Sequence, residues 1–227
     1  MAGMLLIFEA SFSRWHVDGS VLFSRLVFVL PLMVVWTNSH GGFVAGFCVF
    51  TAYVGIRLLE SLYRKAGLTL ATKLGATIVL CGAVTLLNPY GFGLIEWLLK
   101  SLGQSRPEIS EWVSIPNSGV TIVPYAVLVV LTLICWFFTA KRRDLAQFIT
   151  FALVAVQTFV NCRHIAFMAI LFGFWMPQHL QTVWAKIQSA RSKKSEPAPM
   201  SRVGVWLVGT QIAAICVVLS SFLVNDF

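Results

Sequence analysis

Long apolar runs separated by short polar segments organise the chain from residue 21 to its end. Seven of them, at 21–37, 43–59, 70–87, 120–140, 145–162, 164–184 and 203–224, are read as helices that cross a bilayer. A crossing needs roughly 20 mostly apolar residues. Hydrocarbon offers no water to backbone N–H and C=O groups, so each run must satisfy them internally, as a helix. Several runs are short for a crossing, which leaves their ends open by a few residues and one hairpin open to stopping short of a full span. A different pattern fills 92–102, where Glu96 and Lys100 stand four apart on one face of an otherwise apolar stretch. This spacing predicts an interfacial helix on the outer membrane surface, placed to roof a cavity. The run 4–12 is too short to cross and leads into polar residues 13–20; it reads as the tail of a helix that begins upstream, in a chain that is part of something longer.

The expected architecture is therefore all-α, a polytopic transmembrane helical bundle of about seven spans plus the interfacial outer helix. Residues 1–188 form the helical module and 201–227 its terminal transmembrane helix. Between them 189–200, rich in Ser, Lys and Pro, is a cytoplasmic linker. Composition agrees with this class: the 227 residues are 58% hydrophobic and only 11% charged, with a mean hydropathy of +0.81. Soluble domains need about 25% charged residues to cover their surface.

Charge then orients the bundle. A net charge of +8 suggests nucleic acid at first sight, but no basic stretch is interleaved with stacking aromatics, and no nucleic-acid partner is expected. Instead Lys and Arg collect in alternate loops. With 60–69 placed in the cytoplasm beside Arg57, Arg64, Lys65 and Lys73, the clusters Lys141-Arg142-Arg143 and Lys186 to Arg202 fall on the same side. Only Lys100, Arg106 and Arg163 fall outside, leaving fourteen of the seventeen basic residues inside. This is the bias that sets helix orientation. It predicts a multi-pass protein of the cytoplasmic (inner) membrane, with a cytoplasmic N-terminus and membrane lipid as its first partner. The five cysteines are scattered without a Cys-x-x-Cys pair and read as small apolar residues. No secretory signal peptide is visible.

The same topology gathers the unusual polar residues on the extracytoplasmic face. Asn38-Ser39-His40-Gly41-Gly42 joins two spans by a tight turn, which explains the paired glycines; His40 with Asn38 exceeds what a turn needs. Gly42 and Gly46 also form a small-xxx-small spacing that permits close helix contact. Asn88-Pro89-Tyr90-Gly91 ends a span, as proline demands, and Tyr90 suits the interfacial aromatic belt. Glu111 stands beside Trp112, a carboxylate against an aromatic wall where its pKa can rise and where a sugar ring can stack. Arg163-His164 interrupts apolar sequence with almost no loop. Arginine near a boundary often snorkels, but an ionisable residue so placed also marks a ligand path, and the guanidinium fork matches phosphate or pyrophosphate.

Taken in order, Trp36-Thr-Asn38-Ser-His40-Gly41-Gly42-Phe43, Leu87-Asn88-Pro89-Tyr90-Gly91, Glu111-Trp112-Val-Ser-Ile-Pro116 and Arg163-His164 resemble the signature of a group of bacterial polytopic membrane proteins. That group is similar to GT-C glycosyltransferases, which use lipid-linked sugar donors at the outer membrane face. The resemblance covers roughly residues 21–180 and implies the C-terminal half of such a module. It also implies a polyprenyl-phosphate sugar donor, with Arg163 on the phosphate, Asn38 and His40 hydrogen-bonding donor or acceptor, and Glu111 with Trp112 on the sugar. Asn88, Tyr90 and His164 complete the expected substrate-binding set. The catalytic acid of such enzymes usually sits in the first extracytoplasmic loop, upstream of Met1, and no residue here inherits it. His40 and Glu111 are the remaining catalytic candidates.

The competing reading is a non-catalytic transporter or membrane assembly subunit in which the polar turns only close helices. The lack of an acid well inside any span argues against a proton-coupled carrier. A haem or redox-metal protein needs paired histidines at membrane depth, and there is no helical His pair. A Gly-x-Ser-Gly nucleophile site is absent as well. No cofactor is expected, the sequence does not indicate a divalent-cation site, and the oligomeric state stays open.

Overall fold

The structure is a computed structural model that describes residues 1–102, 109, 112–118 and 122–191. All regular structure among them is helical: α1 (Ala2–Ser11), α2 (Phe23–Leu26), α3 (Val29–Ser39), α4 (Phe43–Tyr63), α5 (Leu68–Val84), α6 (Phe92–Leu102), α7 (Ile122–Phe138), α8 (Leu145–Val160), α9 (Ile165–Trp175) and α10 (Pro177–Arg191). Single 3₁₀ turns occupy Ile115–Asn117 and Cys162–His164. The terminal span at 203–224 and nearly all of the linker lie outside the described residues. Among the described residues, one helix is long and apolar enough to cross a membrane: α4, with 21 residues.

Two of the expected spans are each divided. The run 21–37 breaks between α2 and α3 because Pro31 falls in the first turn of α3. Its ring excludes a bond to the Val27 carbonyl, which instead accepts the Leu30 N–H at 3.0 Å. The run 164–184 breaks at Met176, where Pro177 opens α10. Proline has no N–H to carry α9 onward but suits the first position of a new helix. The segment 92–102 is helical, as α6, with an exposed Lys100–Glu96 ion pair of 2.7 Å.

The chain divides into two compact units, one of Met1–Ser110 with Leu145–Leu153, the other of Glu111–Asp144 with Val154 onward. In the first, α3, α4 and α5 pack on one another and α1 lies against α2 and α3. The short apolar run at 4–12 contributes to the core: Met4, Leu5 and Phe8 of α1 are fully buried. Phe8 stacks on Tyr53 of α4 with ring centroids 4.4 Å apart and planes 6° from parallel. Of the small-xxx-small pair Gly42 and Gly46, Gly46 permits a close helix contact, since a methyl group there would overlap the Trp36 ring of α3. In the second unit α7, α9 and α10 enclose Cys135, Met168, Leu171 and Trp175, all buried.

Arg57, expected beside a cytoplasmic loop, is instead the most deeply buried cation of the first unit, 1% exposed. It sits in α4 with Tyr53 one turn before and Glu60 one turn after. Its guanidinium donates to the Glu60 carboxylate and to the Tyr53 hydroxyl, each at 2.9 Å. It also lies over the rings of Tyr53, Trp15 and Phe12 at 4.9, 5.2 and 5.5 Å. Trp15 Nε1 donates to the same Glu60 oxygen at 2.7 Å. The charge tally by sequence assigned Arg57 by proximity to a basic loop, and the pairing that buries it needs the residues before α2 to fold back onto α4.

Breaking a buried pair on one side leaves an uncompensated charge. Arg57→Met is expected to destabilise the first unit by about 3–5 kcal/mol, and Arg57→Met with Glu60→Gln by clearly less, read as detergent-solubilised thermal midpoints. Equal losses would show that the pair contributes nothing as a pair. Gly46→Val is expected to cost about 1–3 kcal/mol through the displaced Trp36 ring, checked the same way.

Candidate functional site

The sequence-predicted site residues fall into two groups, one in each compact unit. Asn38, His40, Asn88 and Tyr90 belong to the first; Trp112, Arg163 and His164 belong to the second. Glu111 lies outside the described residues.

In the first unit the end of α3 and the end of α5 meet through Asn38. Its amide donates to the Val34 carbonyl at 2.8 Å and across to the Leu87 carbonyl at 2.9 Å. The first bond runs back one turn within α3, and the second ties the end of α3 to the turn that follows α5. Asn88 then builds the next turn. Its Oδ1 accepts the Tyr90 N–H at 2.8 Å, its amide donates to the Thr85 carbonyl at 2.8 Å, and its own carbonyl accepts the Gly91 N–H at 3.1 Å. Gly91 has φ of +51°, a left-handed conformation that favours glycine. Tyr90 projects outward, 76% exposed. His40 is exposed, and its Nδ1 accepts the Gly42 N–H at 2.8 Å. In the neutral ring that acceptor role places the proton on Nε2. The structure thus brings Asn38 to the residue before Asn88 and gives Asn38, His40 and Asn88 turn-closing hydrogen bonds.

In the second unit the 3₁₀ turn Cys162–His164 links α8 to α9, so that the predicted span starts one residue later, at Ile165. The Cys162 N–H donates to the Val113 carbonyl at 3.0 Å, fastening this turn to the residues after Glu111. That bond sets Arg163 beside Trp112, and the guanidinium lies 5.2 Å from the ring centroid. A half-buried guanidinium over an indole ring is held by cation–π attraction, which does not consume its N–H donors. Among the described residues no carboxylate pairs with Arg163. His164, also half-buried, has its ring 5.9 Å from that of Phe167. Burial, and then the adjacent Arg163 charge, hold its imidazole below the usual histidine range. At neutral pH it is therefore a neutral hydrogen-bonding group, which leaves Arg163 as the turn's cation.

Two polar clusters were not picked out from sequence. One is the Arg57 group already described; its sequence signal is Arg57 and Glu60 three apart inside an apolar run, with Tyr53 four residues before. The other joins the end of α7 to α10, where Thr139 Oγ1 lies 3.0 Å from His179 Nδ1 and 2.9 Å from Thr182 Oγ1. No group of three metal-ligating side chains occurs among the described residues. Comparison with family models, with curated proteins and with solved structures finds no match to this chain.

Because Asn38 and Gly91 serve backbone geometry, their replacement should be felt as stability. Asn38→Ala is expected to cost about 1 kcal/mol, and Gly91→Ala about 1–2 kcal/mol for a left-handed alanine. Thermal midpoints of the two variants check this; an unchanged midpoint for Asn38→Ala would leave that side chain available for a ligand role.

Proposed function

We propose that this chain is a multi-pass helical membrane module, similar to GT-C glycosyltransferases, that binds a polyprenyl-phosphate sugar at its extracytoplasmic face. The observation that carries the reading is the Arg163–Trp112 pair: a half-buried guanidinium laid on an indole at 5.2 Å, with no carboxylate paired to it among the described residues. Such a cation suits a phosphate, which it can grip in a bidentate fashion, and an indole suits stacking by a sugar ring next to that phosphate. His40 with its proton on Nε2, together with Asn38, would hydrogen-bond sugar or acceptor hydroxyls, and Glu111 and His40 are the groups available for proton transfer. Asn88 and Tyr90 of the first unit and neutral His164 of the second complete the proposed substrate-binding set.

The membrane part of the reading rests on α4 and on three apolar helices slightly shorter than it. α5 and α7 have 17 residues each and α8 has 16, which at about 1.5 Å per residue reach roughly 25 Å. A hydrocarbon layer of about 30 Å accommodates that shortfall by local thinning and by flanking residues that reach the interface. With the charge asymmetry, this supports a protein of the inner membrane with its basic loops in the cytoplasm. α6 has Phe92, Trp97 and Leu99 exposed beside its Glu96–Lys100 pair, as a helix lying in the outer interface would.

A second reading, a non-catalytic transporter or assembly subunit, is favoured by the hydrogen bonds of Asn38, His40 and Asn88, which all close turns. Transfer or hydrolysis of a polyprenyl-phosphate sugar in proteoliposomes separates the two. Arg163→Ala is expected to weaken use of the lipid-linked substrate by roughly tenfold to a hundredfold, the range for losing hydrogen bonds to a charged group, and His40→Ala to lower turnover with less effect on binding. Wild-type protein that neither binds nor turns over such a donor supports the subunit reading, and unchanged activity in both variants would sink the site assignment.

A further inference from the structure

We propose that the C-terminal end of α7 and the surface of α10 beside it form a docking collar for the headgroups of anionic phospholipids on the cytoplasmic side of the membrane. The inference rests on the membrane reading above and is independent of the sugar-phosphate assignment.

Three cations from two elements converge on one helix end. Arg143 Nη2 donates to the Phe137 carbonyl at 3.1 Å, and Lys186 Nζ of α10 donates to the next carbonyl, Phe138, at 2.8 Å. Lys141 Nζ donates to Gln178 Oε1 of α10. Arg142 lies between them in sequence, and all four cationic side chains are exposed. The helix terminus favours positive charge through its unsatisfied carbonyls, which explains how so many cations collect without a matching set of acids. Asp144, 9% exposed, is the acidic residue of this loop. A net positive surface remains.

The backbone beneath the cations is held in place. Thr139 Oγ1 bonds His179 Nδ1 and Thr182 Oγ1, the Lys141 N–H donates to Thr139 Oγ1 at 3.1 Å, and the Ala140 N–H donates to Thr182 Oγ1 at 3.3 Å. The last turn of α7 and the first turns of α10 are thus joined by side chains, so the cations share a preorganised base.

Beside them the surface is apolar. Phe137, Phe138 and Trp184 are 63%, 61% and 42% exposed, and the Arg143 guanidinium lies 5.8 Å from the Trp136 ring. Aromatic rings next to a basic cluster are matched by a bilayer interface: rings at headgroup depth, cations against phosphate. An anionic headgroup satisfies the charge, and its acyl chains cover the rings. A soluble anion would satisfy only the first, and a neutral lipid only the second.

The test uses the full chain reconstituted in nanodiscs of equal parts phosphatidylglycerol and phosphatidylcholine, with lipid co-retained after release measured by native mass spectrometry. Phosphatidylglycerol is expected to be retained preferentially. Retention should fall by roughly tenfold to a hundredfold in Arg142→Gln/Arg143→Gln/Lys186→Gln, and remain unchanged in Lys100→Gln, which removes a cation from α6. Because Arg143 and Lys186 also cap α7, Lys141→Gln/Arg142→Gln is the companion variant; it leaves both caps in place and should show a partial loss with an unaltered thermal midpoint. Equal retention of the two lipids, or an equal effect of Lys100→Gln, overturns the proposal. Alkaline carbonate extraction of the reconstituted chain separates the two levels: a chain that resists extraction but shows no lipid preference overturns the collar alone, and a chain that is extracted overturns the membrane reading along with it.

Discussion

A guanidinium with 1% exposure inside an apolar helix is costly unless everything around it is arranged to receive it. Arg57 meets that condition through Glu60, Tyr53, Trp15 and Phe12. Trp15 and Phe12 come from the segment that follows α1, so the charge on α4 can be accommodated only when the N-terminal residues fold back over it. The same fold-back stacks Phe8 on Tyr53 and brings α1 against α2 and α3. Burial of one cation thereby dictates where the first helix goes and turns a short apolar run into core.

The polar residues of the helix ends obey the same requirement at a smaller scale. Carbonyls at or just past a helix terminus lack an intrahelical donor, and Asn38, Asn88, Arg143 and Lys186 each supply one. Polar residues at helix ends are therefore not in themselves signs of a ligand. Arg163 differs because, among the described residues, the contact it makes is with the Trp112 ring. That difference is why the functional reading leans on Arg163 and Trp112 more heavily than on the turn residues, although both groups looked equally unusual in the sequence.

Much of this was legible in the order of residues alone, for a physical reason. Apolar periodicity and the intramembrane need for internal hydrogen bonding leave a helix as the only structure for such runs, so the all-helical character and the positions of α4, α5, α7 and α8 followed to within a few residues. Pro31 and Pro177 each broke a run that hydropathy treats as continuous, because averaging over a window conceals a missing N–H. The proximity of Asn38 to the Asn88 turn and of Arg163 to Trp112 was implied only as a shared face.

Which of those residues touch was decided by tertiary structure. Asn38 reaches Leu87 over 49 positions and Trp15 reaches Glu60 over 45, and neither contact has a periodic signature. Sequence by itself determined the helical class, since that depends on local hydrophobicity. Whether Arg57 is a loop cation or a buried one, whether His40 is spent on a turn, and whether Arg163 meets an acid or an indole depend on long-range packing, where a single hydrogen bond or ring contact selects among side chains that look alike along the chain.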